Sequence, residues 1–196
     1  MLKKSVIKSL MEVCTLCFMA NKLNDFVKMD KSRFNDAIKA YFLWKELNSL
    51  IKNSHNRGIN FPETISETLG CSALGFELNR GKGGDARNPK TGEIIEFKAT
   101  SNWDKDTSSF SPRENFDLLY FLRLKQRDDE LFIYNTGISS ISLGEIQVNK
   151  TQKLKDQQEQ GRRPRFSVIK QVIIPNDIKP VVRIELRTKK IHKLKN

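Results

Sequence analysis

GGDARNPKTGEIIEFKAT, residues 83–100, divides into a short strand around Asp85, a turn, and a longer strand ending near Thr100. NPKTG carries the Asn, Pro and Gly that turns favour. EIIEFKAT alternates Ile95 and Phe97 with Glu96 and Lys98, the two-residue period of a strand with one buried face. With the turn centred near Lys90, Asp85 falls nearly opposite Ile95 or Glu96, because paired positions in a hairpin share one midpoint. Ile95 and Phe97 then point into a core, and the other face gathers two carboxylates and one ammonium.

Outward from this hairpin the chain reads as helices followed by strands. Residues 1–54 have helical spacing, with Phe34, Ile38, Tyr41, Phe42 and Leu47 at intervals of largely three and four, which predicts a two- or three-helix element. NFPETISETLGCSALG predicts a further helix, with Asn60 as cap, Pro62 in the first turn and Gly75 as its stop. Its Glu63 and Glu67 lie four apart and share a face. FELN reads as a short strand, and DLLYFLRL and ELFIYN as a hairpin across KQRDD. NKTQKLKDQQEQG predicts a solvent-facing helix stopped by Gly161, followed by the strands FSVIKQVII and VVRIELR on either side of PNDIKP. The expected fold class is α/β (α+β), a mixed sheet flanked by helices. A chain of 196 residues fits one domain: a helical N-terminal element 1–54, a core 55–188 and a basic tail 189–196.

Composition narrows the function. Hydrophobic residues at 38% and charged residues at 30% are those of a globular protein rather than a disordered one. No stretch reaches the roughly 20 apolar residues of a bilayer span, and Lys8 and Glu12 interrupt the apolar N-terminal run, so no membrane association and a cytoplasmic location are expected. Three cysteines do not make a disulfide framework. Cys14 and Cys17 form a CxxC without a second pair, with only Cys71, His55 and His192 as further ligands, and read as buried thiols on a helix face rather than a zinc site. Net charge is +12, and residues 150–196 hold 14 Lys or Arg against 4 Asp or Glu. Such a one-ended basic field is the footprint of a nucleic-acid binder.

Adjacent ionised carboxylates repel unless a cation lies between them. A pair of them suits Mg²⁺, which is often held by one or two carboxylates together with substrate phosphate. Lys98 would orient or help deprotonate an attacking water and offset charge on phosphorus. That constellation describes a phosphodiester hydrolase. A second acidic-x-Lys triplet, Asp177-Ile178-Lys179, is flanked by Pro175 and Pro180 in a turn and has no carboxylate partner in a hairpin.

Asp85 followed after ten residues by Glu96-Phe97-Lys98 resembles the motif of PD-(D/E)XK nucleases. RGINFPETISE, GGDARNP, IEFKATSN, TSSFSP and QGRRPRFS together resemble, more closely, a small group of type II restriction endonucleases that cut interrupted palindromes of the form GC-N-GC. The resemblance spans about Arg57 to Val168. It implies a restriction-endonuclease-like core, with Asp85 and Glu96 as ligands of Mg²⁺ (Mn²⁺ substituting), the Phe97 backbone carbonyl as a further ligand and Lys98 as the catalytic lysine. Glu63 or Glu67 would be the supporting helix glutamate. It also implies double-stranded DNA as substrate and a companion DNA methyltransferase that protects host sites; because one hairpin supplies one centre and cutting both strands of a palindrome takes two, a homodimer is expected. Gly84 stands where the motif has proline.

Guanine edges in the major groove are read best by Arg or Lys. Arg162, Arg163 and Arg165, next to Gln157, Gln158 and Gln160, are candidate readers, or else contacts to phosphate alone. The polar segment after the catalytic strand, with Asn102, Ser108 and Ser109, is a second candidate for facing DNA, and Trp103 within it reads equally as packing. Two other readings fit the sequence: a repair or junction nuclease acting on DNA structure, and a non-catalytic DNA-binding protein.

Overall fold

The structure, a computed structural model, describes residues 25–195 except position 114. The N-terminal half of the expected helical element, with Cys14 and Cys17, lies outside the described residues. Its second half forms strand β1 (Phe26–Lys28) and one long helix, α1 (Lys31–Ser54). The Asp30 carboxylate caps α1 by accepting from the Arg33 amide at 2.8 Å, which satisfies one of the helix's orphan donors.

Phe34, Ile38, Tyr41 and Trp44 form the buried stripe of α1. Leu47 is 49% exposed, beside Leu43 and Leu50. Trp44 and Asn48 occupy the inward positions of that turn, and the 3.6-residue period turns Leu47 outward.

Helix α2 (Glu63–Leu74) starts two residues later than a cap at Asn60 would place it, with Pro62 at the cap position and no side-chain cap. The Asn60 carbonyl instead accepts from Trp44 Nε1 at 3.0 Å. Gly75 ends the helix at φ 76°, a left-handed conformation that glycine adopts without a Cβ penalty. At Gly70 a Cβ would lie 3.0 Å from the Phe97 ring, so α2 sits directly on the hairpin's second strand.

The remaining strands are β2 (Glu77–Asn79), β3 (Ala86–Arg87), β4 (Ile94–Thr100), β5 (Ser108–Ser109), β6 (Leu118–Lys125), β7 (Glu130–Asn135), β8 (Arg165–Phe166), β9 (Val182–Glu185) and β10 (Lys190–Lys193). Seven of them join β1 in one mixed sheet in the order β1-β2-β3-β4-β6-β7-β9-β10, in which β4 and β6 are parallel and the other pairs antiparallel. β5 and β8 pair separately. Short helices α3 (Ser140–Gly144) and α4 (Leu154–Glu159) complete the set. One face of the sheet packs Ile95, Phe97, Tyr120 and Leu122 against α1 and α2, and the other packs Leu119 and Phe121 against residues of the 110–178 region. The fold is α+β, a mixed sheet flanked by helices. No helix among the described residues is long and apolar enough to cross a membrane.

Three stretches differ from their sequence reading. FSVIKQVII is a strand only at Phe166, and Ile169–Ile173 forms a π-helical turn. Its buried residues Val168, Ile169, Val172 and Ile173 recur at helical spacing, and the Asp106 carboxylate accepts from the amides of Val168 (2.8 Å) and Ile169 (3.1 Å). Only the second half of NKTQKLKDQQEQG is helical. Within the expected tail, Lys190–Lys193 is the edge strand β10, in register with β9.

Candidate active site

Strands β3 and β4 pair with Ala86 opposite Ile95 and Arg87 opposite Ile94. Continuing that register by one step puts Asp85 opposite Glu96. The Asp85 amide donates to the Ile95 carbonyl at 2.8 Å, and the Phe97 amide donates to Asp85 Oδ2 at 2.7 Å. In a strand the N–H and C=O of one residue point the same way, so the Phe97 carbonyl faces the side on which β3 has ended and Asp85 stands.

Gly84 explains the missing proline. Its φ is 59°, and a Cβ there would lie 2.3 Å from Ile94 Cγ2 and 3.2 Å from the Ile95 carbonyl oxygen. Proline, fixed near φ −65°, cannot occupy this position in this backbone.

Glu96 is 6% exposed, and the Lys98 ammonium lies 2.5 Å from its Oε1. Lys98 Nζ also stands 5.3 Å from the centre of the Phe110 ring, which itself stacks on Phe166 at 5.1 Å. Both side chains open into a cleft of about 660 Å³ that is also lined by Glu63 and Glu67 from α2 and by Asp85. Of the two helix glutamates, Glu63 is exposed and Glu67 half-buried. Burial, together with the charges of Asp85, Glu63 and Glu96, pushes the Glu67 carboxyl up to about 8 against the opposing pull of Lys98. Burial and the Glu96 charge likewise push Asp85 up to about 6, against the Phe97 hydrogen bond and Lys98.

Crowded acids of this kind hold protons more tightly folded than unfolded, so the stability they contribute falls as pH rises through the window from about 4 to about 8. Without added divalent ions, Glu67→Gln is therefore expected to melt at a higher temperature than the parent at pH 8 and to lose that advantage near pH 4. Thermal melts at the two pH values check it, and equal melting at pH 8 would show that Glu67 carries no charge strain.

The donor set fits a hard divalent cation, since a cation entering the cleft relieves the repulsion that raises Asp85 and Glu67. Among the described residues no group of three or more His, Cys, Asp or Glu side chains forms a ready-made metal cage.

Of the residues expected to meet DNA, Arg163, Asn102, Ser108 and Ser109 line the cleft. Ser108 is buried, with its hydroxyl donating to Asp106 Oδ2 at 3.0 Å, and the Asn102 side chain accepts from the Asp104 amide at 3.1 Å. Arg165 is exposed on β8 opposite Ser109. Arg162 and Gln160 lie outside the cleft lining and bond to each other at 3.2 Å. Trp103 packs, with Phe132 edge-on at 5.2 Å and the Arg123 guanidinium 4.0 Å from its ring centre. The Asp177–Lys179 pair is exposed in its turn.

Sequence reasoning missed Asp106, which accepts from Ser108, from the Ser167 hydroxyl at 2.5 Å and from two backbone amides. It ties the β5–β8 pair to the cleft wall, and no local pattern announces it.

Comparison with known proteins places this geometry in context. Residues 29–175 match the family model described as Bsp6I restriction endonuclease. The chain is 79% identical over 172 residues to the type II restriction enzyme Bsp6I of Bacillus sp. (strain RFL6), an alignment covering 88% of this chain and 99% of that relative. No solved structure matches the chain.

Proposed function

The chain belongs to the Bsp6I restriction endonuclease family and is a type II site-specific deoxyribonuclease; we propose that its reaction centre is the cleft holding Asp85, Glu96 and Lys98. The observation that carries this reading is the end of β3. There the Asp85 carboxylate, the Glu96 carboxylate and the Phe97 carbonyl converge on one side of β4, with the Lys98 ammonium beside them.

Type II enzymes work with a divalent metal. In this reading it is Mg²⁺, with Mn²⁺ able to substitute, held by Asp85, Glu96 and the Phe97 carbonyl, and Glu67 rather than Glu63 is the supporting helix acid. When bound, the cation supplies Lewis acidity at the scissile phosphate. Lys98, as an ammonium, orients the attacking water and offsets the negative charge that builds on phosphorus while the new P–O bond forms, the water's proton passes to solvent and the bond to the leaving oxygen breaks. Glu96 holds the ammonium in place, and Phe110 screens its far side.

The substrate is an interrupted palindrome of the form GC-N-GC, cut by a homodimer. One cleft hydrolyses one strand, and two clefts related by a twofold axis match the symmetry of the site. The enzyme acts in the cytoplasm beside a methyltransferase that protects the host's copies of the site. Incubation with unmethylated phage DNA and Mg²⁺, followed by sequencing of the fragment ends, tests the specificity. Ends confined to one interrupted GC palindrome are expected; ends scattered over the sequence or gathered at branched structures would overturn it.

Arg163 and Arg162 differ in position, and so in expected effect. Arg163, in the cleft, is assigned to a guanine edge: Arg163→Ala should cost about 1–3 kcal/mol on cognate duplex and little on scrambled duplex. Arg162, outside it, is assigned to phosphate: Arg162→Ala should weaken both duplexes equally and flatten the salt slope by about one unit. Binding is measured with Ca²⁺ in place of Mg²⁺, so that the complex forms while cleavage is suppressed. Equal losses on the two duplexes for both variants would remove base reading from this cluster.

A further inference from the structure

A second hollow, of about 310 Å³, continues the cleft past Asn60 and Ser101, the two residues that line both. Its other walls are Asn48 and Lys52 from the last turns of α1 and the extended segment Arg57-Gly58-Ile59. That segment is pinned at two points by side chains of α1. Asn48, 4% exposed, accepts from the Ile59 amide at 2.8 Å, and Trp44, 5% exposed, donates to the Asn60 carbonyl at 3.0 Å. Glycine at 58 allows the approach, since a Cβ there would fall 2.0 Å from Asn48 Oδ1 and 2.7 Å from Lys52 Cε. The floor of the notch is therefore built and held, not a loose loop.

The two hollows differ in net charge. The catalytic cleft is lined by five acids against Lys98, Lys105 and Arg163, whereas the notch carries Lys52 and Arg57 and no acid. Neither cation forms an ion pair within the described residues. The acids of the cleft outnumber its cations and repel a DNA backbone wherever a metal ion does not neutralise them, and a neighbouring pair of cations with no acid beside them adds attraction at the cleft's edge.

We propose that the notch formed by Lys52, Arg57 and Gly58 binds a backbone phosphate of the strand being cut, next to the scissile one, and so sets the position of that strand in the cleft. The proposal rests on the reading of the cleft as the reaction centre. It assigns Lys52 and Arg57 to sequence-independent anchoring rather than to base reading. The competing role for Lys52 is structural: it lies in the last turn of α1, where a cation favourably meets the helix dipole.

The test is binding of the full chain to cognate and scrambled duplexes by fluorescence anisotropy across a salt series, with Ca²⁺ replacing Mg²⁺. Lys52→Ala and Arg57→Ala should each weaken both duplexes by the same factor and flatten the salt slope by about one unit, and the double variant by about two. A cognate duplex with one neutral methylphosphonate beside the scissile position gives the second readout. The parent protein should bind it less tightly than the natural duplex, whereas the double variant should bind both alike. Unchanged affinity and slope in the double variant, even with a lowered melting temperature, would overturn the proposal and leave Lys52 a helix-terminal charge. A loss confined to cognate DNA would overturn it too, by making the pair base readers. Failure of the reaction-centre reading would show separately, as undiminished cleavage by Asp85 or Glu96 variants.

Discussion

Asp85→Ala, Glu96→Ala and Lys98→Ala proteins are expected to fold and to cut DNA at least about 10³-fold more slowly than the parent, at or beyond the upper end of what losing one transition-state-stabilising group costs. The three losses have separable causes. Asp85→Ala removes both a proposed metal ligand and the acceptor for the Phe97 amide. Glu96→Ala removes a proposed ligand and the carboxylate that holds Lys98. Lys98→Ala leaves the acids intact, so added metal should not rescue it, whereas partial rescue of Glu96→Asp by excess Mn²⁺ is expected because a carboxylate remains near the ion. All three side chains lie on the face of β4 and its neighbour that opens into the cleft, away from Ile95 and Phe97, so the fold should survive. Rates from single-turnover cleavage at saturating metal check this, with circular dichroism as the control. A folded variant that cuts at the parent's rate would remove that residue from the centre.

The largest expected loss of stability lies elsewhere, at Asp129. This residue is 1% exposed and stands at φ 55° in the turn between β6 and β7. Its carboxylate accepts from the Tyr41 hydroxyl at 2.5 Å and from the Lys45 ammonium, both on α1, and pairs with Arg187 at 2.6 Å. Burial raises its carboxyl, but the hydrogen bonds from Lys45 and Tyr41 and the charges of Lys45 and Arg187 outweigh that effect and hold it below the usual range. Asp129→Ala would strand a fully buried phenol and a half-covered ammonium, at a cost of about 3–5 kcal/mol, or a melting temperature lower by roughly 10 °C for a domain of this size. Asp129→Asn keeps an acceptor and tolerates the positive φ, so it should lose less. Because the folded carboxyl is depressed, its contribution is present above the unfolded value near 4 and is lost as pH falls through the folded one. Melting curves of the parent and the two variants from pH 3 to pH 7 decide it, and an alanine variant as stable as the parent would show that α1 is not fastened to the sheet here.

What the sequence disclosed depended on whether the physics was local. The β3–β4 hairpin was legible because a turn of Asn, Pro and Gly fixes the midpoint and a two-residue period fixes the face; the observed pairing of Ala86 with Ile95 agrees with a turn centred near Lys90. FSVIKQVII was misread because β-branched residues suggest a strand, while the Asp106 carboxylate that caps the turn comes from 62 residues away. The inward face of α1 was not legible, because Leu43, Leu47 and Leu50 form a second apolar stripe on it and periodicity alone does not say which of two stripes faces the sheet. Glu63 and Glu67 share a helix face, so spacing could not rank them; burial of Glu67 beside Asp85 and Glu96, which raises its carboxyl, appears only in the folded packing. The Asp129 cluster was invisible for the same reason, since Tyr41 lies 88 residues away in sequence.

The central claim is that the cation needed for cleavage sits between Asp85, Glu96 and the Phe97 carbonyl. Fe²⁺ placed in a Mg²⁺ site and treated with ascorbate and peroxide cuts the polypeptide close to the bound ion, and mass spectrometry then maps the breaks. The account predicts breaks near Gly84–Asp85 and Ile95–Phe97, with weaker ones near Glu67, all suppressed by excess Mg²⁺ and absent from Glu96→Ala. Breaks concentrated elsewhere in the chain, or unaffected by Mg²⁺, would contradict it.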